Sequence, residues 1–265
     1  MTYEGDPTFP PLLTGHRIGG GEAPLAVAVA RATTGEIGAG DVLWSPDGQR
    51  GALAIVLEPE CRLRTALQMA PLAQVAAGDC IGALTPPKVA VNFRWPREIV
   101  VNGGVAAELN VAWPAGCGPD EVPNWLVLGL TVALKYDAGD IEPGFDPERT
   151  VLAEEGCPDL TSARLISSYA RHFLTWLNNW QDDGFRPVSE AWMFRADGID
   201  DDLTYEMAGI TETGRTLGLD EDAGLLLKRG ADEGGAEPSA RATIALSLLD
   251  ALSQPLEVRA AGAGT

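Results

Sequence analysis

Histidine, positive charge and long apolar runs are scarce in this sequence, and each shortage argues against a class of function. Lysine and arginine together number 19 against 38 aspartates and glutamates, which gives a formal net charge of −19. That charge repels phosphate backbones and anionic lipid, so we expect no nucleic-acid partner and no membrane binding. No apolar run approaches the ~20 residues that cross a bilayer, and the N-terminal stretch lacks the pattern of a signal peptide.

Cysteine and histidine are also too few and too scattered to predict a metal site. The chain has two histidines, His16 and His172, and its four cysteines form no C-x-x-C pair. Zinc sites in proteins place such ligands at short, regular spacings. Scattered cysteines without a signal peptide are typical of reduced thiols, so we expect a cytoplasmic protein without a bound metal.

Local patterns that could carry chemistry have simpler structural explanations. Three glycines at 19–21 precede a helix and could hold a phosphate, but the chain has no G-x-x-x-x-G-K-[ST] motif, and a flexible loop explains them. The acidic stretches 198–203 and 218–224 lack the alternating ligands of a calcium loop and are typical of solvated turns. No G-x-S-x-G motif occurs. The residues alone therefore predict no catalytic group.

The order of the predicted elements indicates an α+β fold with a mixed or antiparallel sheet. These elements are a helix from Pro24, strands at 41–44 and 51–57, a helix at 62–79, strands at 88–95, 98–113 and 123–134, and a long amphipathic helix at 159–183. Short strands separated by glycines follow residue 198 and suggest a small barrel-like β module. We expect one domain over 1–197 and a small β domain with a frayed tail over 198–265.

Three stretches share their order and spacing with one known family. They are ALAIVLEPE (52–60), FRWPREIVVNGGVAAEL (93–109) and TGRTLGLDEDAGLLLKRG (213–230). They resemble, in turn, the strand after the biotin-binding loop, the motifs K-W-P-N-D and K-x-x-G-I-L, and the SH3-like C-terminal module of the biotin protein ligases and lipoate-protein ligases. The resemblance is to the form without an N-terminal DNA-binding domain. It extends from about Ile18 to Leu249.

This resemblance implies an enzyme that binds biotin or a lipoyl-type acid together with ATP and Mg²⁺. Such enzymes form an acyl-adenylate and pass the acyl group to a lysine of a carrier protein. The family holds the two anions with a loop of the form G-R-G-R-x-G-R and with the lysine of K-x-x-G-I. The resemblance also implies a ligase-like domain with flanking helices, an SH3-like module, and a homodimer paired through the sheet.

Both cationic elements of the family are missing from this chain. Between Trp44 and Gly51 it has only SPDGQR, so a tight hairpin replaces the arginine-rich loop. Gly104 stands at the position of the family's lysine, so no catalytic residue is predicted. The resemblance implies a ligand site formed by Gly20, Gly21, Arg50, Arg94, Trp95, Pro96, Arg97, Gly103, Gly104 and Thr131.

Three functions are compatible with this sequence. The first is a protein that binds a biotin-like or lipoyl-like acid, or its adenylate, without ordinary ligation. It is favoured because the loss of one charged donor to a transition state commonly costs ~10²–10³-fold in rate. The second is an active biotin-, lipoyl- or octanoyl-protein ligase or acyltransferase in which Arg94, Arg97 or Arg50 compensates. The third is an interaction protein whose pocket is filled by side chains.

Overall fold

The apolar runs in the first half of the chain form one seven-stranded sheet. The structure, a computed structural model, describes residues 5–136, 146–199, 201–207, 209–229, 243–254 and 256–260. The strands are β1 (Thr14–Arg17), β2 (Asp41–Ser45), β3 (Arg50–Leu57), β4 (Val91–Arg94), β5 (Glu98–Val101), β6 (Gly104–Ala112) and β7 (Leu126–Ala133). They lie side by side in the order β1-β2-β3-β7-β6-β5-β4. The pair β1–β2 is parallel and the other neighbours are antiparallel.

Helices cover the two faces of this sheet unequally. Their bounds are α1 (Pro24–Thr33), α2 (Leu63–Ala66), α3 (Met69–Leu84), α4 (Ser162–Asp183) and α5 (Arg186–Met193). The apolar helix α3 is buried on nearly every side, because it packs between the sheet and the helices α4 and α5. On the opposite face α1 forms a small separate core with β2, β3 and β7. That face is therefore covered over only part of its width.

The first turn of α1 rests on β7 at a glycine. A Cβ atom on Gly129 would lie 3.0 Å from the Cβ atom of Leu25, so the close approach of helix and strand depends on the missing side chain. Gly129 lies two residues before Thr131 on the same face of the strand. The start of α1 is thereby placed beside the uncovered part of the sheet.

The C-terminal part of the chain forms a second, antiparallel sheet. Its strands are β8 (Leu203–Met207), β9 (Ile210–Leu219), β10 (Leu225–Lys228), β11 (Thr243–Leu246) and β12 (Leu256–Ala260), and α6 (Leu248–Ser253) precedes the last strand. Their order is β11-β10-β9-β8-β12, an arrangement consistent with an SH3-like module. No helix in the described ranges combines the length and the apolar character needed to cross a membrane.

The structure confirms the predicted α+β fold class, and it divides two of the predicted elements. The predicted helix at 62–79 is the pair α2 and α3, which extends to Leu84. The predicted strand at 98–113 is the hairpin β5–β6, because Asn102 and Gly103 adopt positive φ angles of 48° and 96°, as tight hairpin turns require. The strands β1 and β12 and the helices α5 and α6 were not predicted. The boundary at residue 197 stays a prediction.

The contact between α1 and β7 can be tested by filling it. Gly129→Val is expected to lower the free energy of unfolding by about 1–3 kcal/mol, because the added methyl groups must push Leu25 away from the sheet. Urea denaturation measures this change. The control is Gly82→Ala in α3, where an added Cβ meets nothing within 4 Å and a gain of about 0.5–1 kcal/mol is expected. Equal stability of the two variants would contradict this role of Gly129.

Candidate functional site

The Trp-Pro corner joins the two sheets. Trp95 precedes a cis peptide bond to Pro96 and is only 2% exposed. Its indole Nε1 donates a hydrogen bond of 3.1 Å to the carbonyl oxygen of Ala223, and its ring meets Tyr205 edge-on, with 6.2 Å between centroids. These contacts hold the second sheet against the end of β4.

The two arginines of this corner bind groups of the protein itself. Arg94 donates from Nε to the carboxylate of Asp197 at 2.9 Å and from Nη1 to that of Glu98 at 3.2 Å. Arg97 donates from Nη2 to the carbonyl oxygen of Ala251 at 2.7 Å. Asp197 lies between α5 and β8, and Ala251 lies in α6. Both guanidinium groups therefore take part in the joint between the two sheets.

An open cavity of about 440 Å³ lies on the uncovered face of the seven-stranded sheet. Sites for small ligands commonly have volumes of roughly 300–1,000 Å³. Thr131 of β7 stands between its register partners Ala52 of β3 and Glu108 of β6, so neighbouring side chains point to the same face. The walls carry three cations and two carboxylates, which are Arg50, Lys135, Arg149, Glu108 and Asp146.

A short chain segment, residues 146–150, passes directly beside Gly104. Val105 forms a parallel bridge with Arg149, and its backbone N–H donates to the carbonyl oxygen of Glu148 at 2.7 Å. A Cβ atom on Gly104 would lie 3.0 Å from the Cβ atom of Thr150 and 3.1 Å from the carbonyl carbon of Arg149. Any side chain at position 104 would therefore displace this segment.

Two carboxylates face each other across β5 and β6 near the cavity. Glu98 is the register partner of Glu108. Burial has the largest effect and raises the pKa of the Glu98 carboxyl above its ordinary value. The neighbouring carboxylate of Glu108 also raises this pKa, whereas the positive charges of Arg94 and Arg149 lower it. The positive charge of Arg149 therefore reaches the carboxylates on the sheet.

The predicted ligand residues fall into three groups. Arg50 and Thr131 line the cavity, and Gly104 lines an adjoining space of about 240 Å³. Gly20 and Gly21 lie, exposed, in the loop between β1 and α1. The remaining members belong to the corner and to the β5–β6 turn, and they are Arg94, Trp95, Pro96, Arg97 and Gly103. The participation of all ten in ligand binding stays a prediction.

Sequence reasoning missed four charged residues of the cavity, which are Glu108, Lys135, Asp146 and Arg149. Lys135 directly follows the apolar strand β7, and a cation at the end of a buried strand was a signal that could have been used. Glu108 lies within a matched motif, at the place of its isoleucine. Arg149 lies in a stretch without periodicity or motif, so no sequence signal pointed to it.

A larger cavity of about 870 Å³ lies at the opposite end of the sheet, between α4 and the chain before β1. Its walls are mainly apolar and include Leu13, Phe173 and Trp180, and no lysine or arginine is among the described residues that line it. A site for an anionic ligand therefore fits the smaller cavity better.

The chain matches the biotin/lipoate A/B protein ligase family over residues 9–194, which is more than half of its length. It belongs to this family. It is 27% identical to the biotin–[acetyl-CoA-carboxylase] ligase of Paracoccus denitrificans, over 70% of this chain and 76% of that protein. It is 23% identical to the bifunctional ligase/repressor BirA of Bacillus spizizenii, over 81% of this chain. The match spans 65% of that repressor's length, slightly less than two thirds.

Solved structures agree with this assignment and confirm the family predicted from the motifs. A biotin protein ligase-like protein of unknown function from Silicibacter sp. TM1040 has a TM-score of 0.76 and 34% identity, over 91% of this chain and 96% of that chain. The biotin protein ligase from Aquifex aeolicus has a TM-score of 0.72 over 96% of this chain and all of that chain. At 13% identity, this second likeness shows the fold alone.

The two cationic elements that the family resemblance implies for holding ATP have no counterpart at the matching positions of this chain. Only residues 46–49 join β2 to β3, and this turn is closed by the Asp47 N–H, which donates to the Ser45 carbonyl oxygen, and by the Gln49 N–H, which donates to the Asp47 carboxylate. The lysine position beside the cavity is Gly104, against the backbone of Thr150. In the described ranges no group of three or more His, Cys, Asp or Glu side chains could hold a metal ion.

The role of the Trp-Pro corner as a joint can be tested at its indole. Trp95→Phe keeps an aromatic ring but leaves the Ala223 carbonyl without its donor, so a loss of about 1–3 kcal/mol in the free energy of unfolding is expected in urea denaturation. Trp113→Phe is the control, because no hydrogen bond of that indole is found within the described residues; its effect should stay within about 0.5 kcal/mol. Unchanged stability of Trp95→Phe combined with lost ligand binding would instead place Trp95 in the ligand site.

Proposed function

We propose that this protein binds a small carboxylic acid of the biotin or lipoyl class, or its adenylate, in the cavity on β3, β6 and β7, without the ATP-dependent ligation typical of its family. One observation carries the proposal: backbone of residues 148–150 occupies the space beside Gly104 while an open cavity with three cations remains next to it. These contacts support a function in which the binding surface is kept while the family's reactive cation is absent.

The cavity suits an acid with an apolar body. Its floor and walls include the small apolar residues Ala106, Ala107 and Ala133, and its rim carries more cations than carboxylates. In a chain with a net charge of −19, such a local excess of positive charge is a selective attraction for anions. The first turn of α1 lies on the same face of the sheet, and the positive end of its helix dipole adds to this attraction for anions.

Family-type adenylation demands more than the binding of an acid. A carboxylate and the ATP α-phosphate must be held together while charge builds at phosphorus, and donors must be aimed at that charge. The tight hairpin before Arg50 and the glycine at position 104 remove the two elements that the family uses. Arg94 and Arg97 are already bonded within the protein, so neither is available in this structure to replace them.

Names of relatives support the ligand class. The Paracoccus relative is a ligase that acts on acetyl-CoA carboxylase with biotin, and the Aquifex ligase has been solved in complex with biotin and ATP. We extend the biotin-type acid to this chain as part of the proposal. The open cavity argues against an interaction protein whose pocket is filled by its own side chains.

An acyltransferase is the second candidate. A transferase that receives a preactivated acyl donor does not need the ATP-handling loop, and the cations Arg50, Lys135 and Arg149 around the cavity favour this alternative. Its second partner would be a lysine-bearing carrier-protein domain. Transfer of an acyl group from a preformed adenylate to such a domain would distinguish this candidate from a binding protein.

Isothermal titration with biotin, lipoate, octanoate and their adenylates tests the proposal. At least one of these is expected to bind, while acid-dependent ATP–pyrophosphate exchange is expected to stay at background. Gly104→Lys should not restore exchange, because the lysine side chain must displace the backbone at Thr150 before it can reach the cavity.

Two results would contradict the proposal. If none of the acids and none of the adenylates gives a binding signal in the titration, the binding function is excluded. Pyrophosphate exchange by the wild-type protein, accompanied by acylation of a carrier domain, would instead establish an active ligase. A Paracoccus-type ligase assayed in parallel serves as the positive control for exchange and acylation.

A further inference from the structure

The segment that excludes a side chain at position 104 brings a cation of its own to the same place. Arg149 is the bridge partner of Val105, the residue next to Gly104. The segment is pinned on both sides of Arg149, since Val105 donates to the Glu148 carbonyl at 2.7 Å and accepts from the Thr150 N–H at 3.1 Å. Arg149 lines both the cavity of about 440 Å³ and the adjoining space of about 240 Å³.

Arg149 and Lys135 differ from most arginines in this protein. The arginines that form ion pairs with carboxylates are Arg17, Arg31, Arg62, Arg64, Arg94, Arg186, Arg195, Arg215 and Arg229. Within the part of the chain that the structure describes, no ion pair involves Arg149 or Lys135, and both side chains are exposed. Two cations without a carboxylate partner therefore face one cavity of a strongly acidic protein, where a bound anion would relieve their mutual repulsion.

We propose that Arg149, assisted by Lys135, binds the carboxylate of the ligand and replaces the lysine that the family places at the position of Gly104. This inference rests on the proposed function, because it assigns the residue that recognises the acid in that cavity. A guanidinium group holds a carboxylate through two parallel hydrogen bonds.

Arg149 fits this role better than the other cations of the cavity. Arg50 already interacts with another group of the protein. Lys135 is held by its backbone at the end of β7, where its N–H bonds to the Gln49 carbonyl at 3.0 Å, and its ammonium group lacks the planar fork of a guanidinium. The charge of Arg149 also reaches Glu98 on the sheet, where it lowers the carboxyl pKa.

The test compares acids with their primary amides. Arg149→Gln should weaken the binding of the acid that wild-type protein prefers, among biotin, lipoate and octanoate, by tenfold or more in isothermal titration. The corresponding amide should change by less than about twofold, because only the charged ligand uses the guanidinium group. Arg149→Lys should give an intermediate affinity for the acid, and the weakening of acid binding by added salt should be smaller in Arg149→Gln than in wild type.

Arg164→Gln is the matched control. Arg164 is another exposed arginine without an ion pair among the described residues, and it lies at the start of α4, outside the cavity. Its replacement should leave the affinity for the acid unchanged. This control separates a local effect of Arg149 from the loss of one positive charge in the whole protein.

The outcomes separate this inference from the function on which it rests. Wild-type binding of an acid that Arg149→Gln retains at full strength overturns the role of Arg149 and leaves the binding function intact. Equal weakening of acid and amide also overturns it, since a disturbed cavity then explains the loss. Absence of binding of every acid and every adenylate by the wild-type protein contradicts the proposed function itself. Binding of adenylates alone overturns the role of Arg149, because the acyl group of an adenylate has no free carboxylate.

Discussion

The backbone of residues 148–150 lies so close to Gly104 that a side chain at this position would force the segment to shift. Two hydrogen bonds to Val105 hold the segment there, and a Cβ atom would lie 3.0 Å from the Cβ atom of Thr150 and 3.1 Å from the backbone of Arg149 and Thr150. The same segment borders the cavity and brings Arg149 to its wall.

The Trp-Pro corner shows how a motif can keep its residues while its contacts are structural. Trp95 is buried against Ala223 and Tyr205, and Arg94 is bonded to carboxylates on both sides of the joint. Removing one partner of such a bond would leave a buried polar group or charge unpaired, and this lowers the stability of the fold whether or not a ligand is bound. The docking of the second sheet is therefore a sufficient structural reason for the Trp-Pro corner of this chain, independently of chemistry.

Local signals in the sequence were sufficient for much of the fold and for little of the site. The hairpin between β2 and β3, the start of α1 at Pro24 and the long helix α4 each depend on turn residues or on periodicity within a short window. The positions of the Arg94 and Arg149 side chains depend on contacts with residues that are far away in the sequence, as in the bond between Arg94 and Asp197. No short stretch of the sequence contains the information about these distant contacts. The same reason explains why β1 and β12, short strands completed by distant neighbours, were missed.

Binding an acid and activating it make unequal demands on a protein. One arginine can hold a carboxylate through two parallel hydrogen bonds, and the ligand can adjust its position to that of the guanidinium group. Stabilising the charge that develops during adenylation requires donors fixed at the position of the transition state, so small displacements are costly. On the proposed function, a segment such as 148–150 beside the reactive position removes the second property and leaves the first. A cavity lined by Arg50, Lys135 and Arg149 meets the weaker demand, the binding of an anion, without meeting the stronger one.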